Sequence, residues 1–198
     1  LAGPEVALGQ APAGSRRSGY EWLHSVREAA PSAAWSAIWP EVDGKAGLQM
    51  TLLPGCAQRV FIATADSPRI KAKGLPETLP WVVARRAGGG LSTFTAVIRT
   101  RRDGDPIEAI TPLAVTTPSG TGVAVRVVTA GTDDLLYSSL EPDHLATIEG
   151  GVQAAGRFVM IRRDRQGRFL SLHTVGASQV RAEGVDLQAQ AEWRGTLR

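Results

Sequence analysis

With 198 residues, 43% of them hydrophobic, the chain can bury one sizeable core and is too short for more than two ordinary domains. Its net charge is only +3, and the basic residues fall as scattered pairs, Arg16-Arg17, Arg85-Arg86, Arg101-Arg102 and Arg162-Arg163. That dispersal argues against nucleic-acid binding, which needs a clustered cationic stripe; the lone Cys56 excludes an intrachain disulfide and a cysteine-based zinc site; and no run reaches the roughly 18 apolar residues of a membrane span.

In chain order, Leu1 to Ser18 is rich in Ala, Gly, Pro and Ser and reads as an extended lead-in or linker, with one packed domain expected over residues 19–198. Leu1 in place of Met points to a processed protein or an excised fragment. Trp22 to Ala30 carries the one helical signal, a turn or two ending before Pro31. From there period-two alternation dominates, over Leu48 to Leu53, Gln58 to Ala65, Leu79 to Arg86, Ser92 to Thr100, Glu108 to Thr116, Thr121 to Thr129, Arg157 to Arg163 and Phe169 to Val175. In the sixth of these, Val123, Val125 and Val127 share one face while Ala124, Arg126 and Val128 share the other. Turn sequences separate the runs, among them Leu53-Pro54-Gly55-Cys56, Ala87 to Gly90, Arg102 to Pro106 and Thr117 to Gly120. Asp164-Arg165-Gln166-Gly167 joins two alternating runs so closely that it predicts a hairpin. Many short strands with Gly- and Pro-rich turns predict an all-β fold, an antiparallel β-sandwich of two stacked sheets with little helix.

Four segments carry a resemblance: Ser18 to Ser25 (SGYEWLHS); Leu53 to Phe61 with Leu79 to Arg86 and Ser92 to Ile98; Gly131 to Tyr137 (GTDDLLY); and Gly156 to Asp164 (GRFVMIRRD). In their order and spacing they resemble the C-terminal β-sheet and β-sandwich region of heparinase II/III-like polysaccharide lyases, spanning about residues 18–187. The resemblance implies a non-catalytic region that supports an α/α-toroid catalytic domain, encoded upstream or as a separate chain, in a bacterial periplasmic or secreted enzyme. It further implies an acidic polysaccharide such as a glycosaminoglycan or alginate as partner, and β-elimination as the parent activity. A free-standing carbohydrate-binding module, and a lyase subunit completing its active site with a separate helical chain, are the alternatives. No cofactor is implied.

β-Elimination on a uronate needs a group that neutralises the carboxylate, a base for the C5 proton and an acid for the leaving oxygen. The neutraliser is usually Asn, Gln, Arg or a metal; this chain has no asparagine, so the role would fall to Gln or Arg, and no complete catalytic set is recognised in it. The phenols available are Tyr20 and Tyr137. On a strand, Tyr20, Trp22 and His24 share one face, which makes Tyr20 and His24 catalytic candidates and Trp22 a sugar-contacting one; packing against an upstream part of the protein is the competing reading. Trp35 and Trp39, four apart, share a side on a helix or a strand and are carbohydrate-binding candidates, with core packing as their alternative. His144 lies in a turn and His173 in a strand, without the convergent spacing of a metal site. The carboxylate pairs Asp133-Asp134 and Asp103 with Asp105 read as solvated turn acids, and there is no nucleophile elbow or phosphate loop.

Overall fold

The computed structural model describes residues 9–10, 23–40, 46–53, 59–66, 77–86, 92–102, 107–118 and 120–197. Among them the regular elements are all β-strands and every pairing is antiparallel. The all-β expectation is therefore what the molecule has. Its contacts divide into two compact units, Leu1–Asp103 and Gly104–Arg198.

The first unit holds two sheets. One runs in the order β1 (Gly9–Gln10), β2 (Leu23–Ala29), β5 (Arg59–Asp66), β6 (Thr78–Arg85); the other runs β3 (Trp35–Pro40), β4 (Ala46–Leu52), β7 (Ala96–Arg102). Alternation puts Trp35, Ala37 and Trp39 on one side of β3, and they pack with Met50 and Leu52 of β4 against Val60 of β5 and Val82 and Ala84 of β6. That apolar layer stacks the two sheets face to face. The opposite side of β5 carries a smaller cluster, Ala63 and Ala65 with Leu23 and Val26.

The helical turn expected after Trp22 is not there. Leu23–Ala29 is a strand laddered to β5, with an irregularity between His24 and Arg27 where Ser25 takes φ 51°. A two-turn helix is marginal on its own, whereas extension gives these backbone groups partners on β5. Within the stretch read as a lead-in, Gly9 and Gln10 pair with Glu28 and Arg27.

In the second unit one nine-stranded sheet is built from β8 (Ile107–Leu113), β9 (Val115–Thr116), β10 (Val123–Thr129), β11 (Thr132–Ser138), β12 (Ala146–Ile148), β13 (Val152–Ala155), β14 (Phe158–Asp164), β15 (Phe169–Ala182) and β16 (Val185–Leu197). The order is β8-β10-β11-β14-β15-β13-β12-β9, with β16 on β15. Its two ends, β8 and β9, are consecutive in the chain, so the sheet curls into a nearly closed barrel. Ala114 sits at that junction, accepting from the Glu149 N–H at 2.8 Å and donating its own N–H to the Glu149 carboxylate at 3.1 Å. The interior is filled by Tyr137, Ile148, Val159, Ile161, Leu172 and Val180, each fully buried and each contributing about 1.5–3 kcal/mol of apolar transfer.

The predicted hairpin at Asp164 joins β14 to β15. Gly167 adopts φ 84°, and the Asp164 carboxylate accepts the N–H groups of Gln166 and Arg168 at 2.9 Å each, which closes the turn on itself. β13 and β14 are separated by only Gly156 and Arg157 and both pair with β15, so together they run as one bent strand along it.

Candidate functional site

Tyr20, Trp22, Cys56, Asp103 and Asp105 lie outside the described residues. His24 is exposed at the start of β2, its Nε2 3.7 Å from Asp66 Oδ1 and its carbonyl accepting the Thr64 hydroxyl at 3.2 Å. Trp35 does not present its ring to solvent: it is 6% exposed in the inter-sheet layer, and its indole N–H has no hydrogen-bond partner. Trp39 is half-buried against the same layer. Strand pairing with β4 thus turns both indoles into packing groups.

Tyr137 is 1% exposed inside the barrel, directly opposite Ala124, with its hydroxyl unpartnered. Such a phenol cannot reach a bound polysaccharide. Asp133 and Asp134 are strand residues rather than turn acids, because their arginine partners stand on neighbouring strands. Arg162 of β14 holds Asp134 through two parallel hydrogen bonds, Nε to Oδ1 at 2.9 Å and Nη2 to Oδ2 at 2.7 Å. Arg126 of β10 chelates Asp133 in the same way, and that hydrogen bonding holds the Asp133 carboxyl below the ordinary range, with Arg163 and Arg165 adding to it against a desolvation cost.

His144 is in the expected turn, bonded to Glu141 at 2.8 Å. His173 lies on β15 with both ring nitrogens at hydroxyls, Nδ1 2.8 Å from Thr196 Oγ1 and Nε2 3.3 Å from Ser171 Oγ. Among the described residues no acidic side chain pairs with it, so there the pair lacks the third group that makes a serine–histidine nucleophile effective. Among the described residues no three His, Cys, Asp or Glu side chains converge on a metal position.

On the side of the β5–β6 ladder facing away from β3 and β4, Trp81 stands opposite Ala63, Val83 opposite Phe61, and Arg85 opposite Arg59. Trp81 is 42% exposed, and β6 is the edge of its sheet. Arg59 is ion-paired with Glu28, whose side chain is only 11% exposed. Among the described residues no carboxylate pairs with Arg85. This side thus carries a partly exposed indole, an apolar step and two guanidiniums, of which Arg59 is paired with Glu28. Trp81 escaped sequence reading because it sits in an apolar run, Leu79 to Val83, where a core position and an exposed edge position look alike.

No known protein family, curated protein or solved structure matches this chain.

Proposed function

We propose that this chain is the non-catalytic β-sandwich region of a heparinase II/III-like polysaccharide lyase, supporting an α/α-toroid and meeting an acidic glycan in a periplasmic or secreted enzyme. The observation that carries the reading is the state of the described phenol and of the paired carboxylates. Tyr137 is enclosed in the barrel, and Asp133 and Asp134 are bound by arginines of adjacent strands. Groups held in this way stabilise a scaffold; they are not poised to exchange protons with a substrate. The four ordered sequence segments and the all-β build support the same reading.

Two measurements test it. Incubated alone with alginate, heparan sulfate or hyaluronan, the chain should produce no absorbance of unsaturated uronate; a rise overturns the non-catalytic assignment. Coexpressed with the toroid-encoding sequence of the same genome, it should copurify as a complex, and failure to associate counts against the supporting role.

A further inference from the structure

We infer that β7 is a docking edge for an extended peptide of alternating apolar and acidic residues, which adds to it as a further strand of the β3–β4–β7 sheet. This goes beyond the supporting role proposed above and does not rest on it. β7 is the end strand of that sheet, laddered to β4 and to no other strand among the described residues. It also runs out of the inter-sheet layer that protects its neighbours. Ala37, Met50 and Ile98 lie side by side across β3, β4 and β7 on the face that packs against β5 and β6, yet Ala37 is buried, Met50 half-buried and Ile98 63% exposed. Ala96 and Thr100, on the same face, are exposed as well, and Phe94 just before the strand is 43% exposed. An edge open in its backbone and apolar on one face is what a peptide completing a sheet requires: main-chain groups for the ladder, and alternate side chains to pair across it.

Charge selects the occupant. Ser92 to Arg102 contains Arg99, Arg101 and Arg102 and no carboxylate. Alternation puts Arg99 and Arg101 on the face opposite Ile98. Arg99 donates to Gln49 Oε1 at 3.0 Å, while Arg101 is exposed and has no ion pair among the described residues. Two copies of β7 paired antiparallel would bring these arginines together, and like charges across a ladder repel, so a second copy of this chain fits poorly. A peptide with a β-branched apolar residue at every second position meets Ile98 on one face, and acids at the intervening positions meet Arg101 on the other.

The test is fluorescence anisotropy of the full chain with three labelled, end-blocked heptapeptides: glutamate alternating with valine, lysine alternating with valine, and the glutamate–valine peptide N-methylated at every residue. The first should bind; the second, of the wrong charge, and the third, unable to form a ladder, should not. Arg101→Glu should weaken binding of the first about fivefold and let the second bind, a reversal that a structural role for Arg101 would not produce. Ile98→Asp should weaken the first by a similar factor, and because Ile98 is mostly outside the core this variant should melt at the temperature of the parent chain. If it does not, Ile98→Thr, which keeps the β-branch, carries the apolar half of the test, with weakened binding expected. No binding of the glutamate–valine peptide by the parent chain, equal binding of its N-methylated form, binding unchanged by Arg101→Glu, or self-association of the parent chain that Ile98→Asp abolishes would each overturn the inference.

Discussion

Asp134 and Arg162 stand directly opposite each other on β11 and β14, and the guanidinium grips the carboxylate with two hydrogen bonds of 2.9 and 2.7 Å. The two partners are unequally solvated: Asp134 is 5% exposed, whereas the Arg162 side chain keeps 40% of its surface in water. The pair is therefore asymmetric in what its loss would cost.

Arg162→Ala leaves a buried carboxylate without its donor and should lower stability by about 2–3 kcal/mol, whereas Asp134→Ala leaves an arginine that can turn to water and should cost about 1 kcal/mol. Urea denaturation of both single variants and the double variant checks this. A double variant as unstable as the sum of the singles would show that the two side chains act independently.

Where β13 passes into β14, a Cβ on Gly156 would lie 2.9 Å from the Cα of Ala177 and 3.3 Å from the Gly176 carbonyl oxygen. Backbone cannot give way as a side chain can, so Gly156→Ala should destabilise the barrel by about 1–3 kcal/mol. Gly131→Ala, with open space around it, should change stability by no more than about 0.5 kcal/mol. Thermal melts of the two variants separate steric crowding from a general glycine effect.

Acid should unfold the second unit through identifiable carboxyls. Asp133 is held below its usual range by hydrogen bonds from Arg126. Desolvation pushes Asp164 upward, but bonds from the Arg168 N–H and guanidinium and the Gln166 N–H outweigh it. Both folded values thus lie below the unfolded carboxyl, near about 3.9, so their contribution is complete above that pH and is lost as pH falls through the folded values. Asp133→Asn should be less stable at neutral pH and should show a shallower loss on acidification, read from urea midpoints between neutral and strongly acidic buffers. An unchanged pH slope would remove Asp133 from this account.

Trp35 fills the inter-sheet layer without a bond from its indole N–H. Trp35→Phe therefore gives up volume but no hydrogen bond and should cost less than Trp35→Ala, for which a core cavity of this kind costs about 3–5 kcal/mol. Equal destabilisation by the two would mean that the N–H has a partner in solution.

Much of the strand plan was legible because the period-two signal is local. The Asp164 to Gly167 turn combines an acidic acceptor with a glycine able to take positive φ, and the hairpin follows from those residues alone. β10 alternates as expected, yet alternation does not say which face is inside. Ala124 lines the barrel while Val125 and Val127 are buried on the other side, an outcome set by how β10 is flanked. In β2 a weak local helical signal loses to a ladder with β5, more than thirty residues away. Asp133 and Asp134 look like turn acids in the sequence because Arg162, which holds Asp134, lies 28 residues on.

By itself the amino-acid order determined the class of structure: alternating apolar residues punctuated by glycine and proline leave antiparallel β-structure as the way to bury the core while pairing the backbone. Only the tertiary arrangement decided which rings and charges are enclosed and which are exposed. Burial of Trp35, enclosure of Tyr137 and exposure of Trp81 depend on which strand lies beside which. Strand neighbours are chosen by packing and register across long loops, and no local pattern encodes that choice.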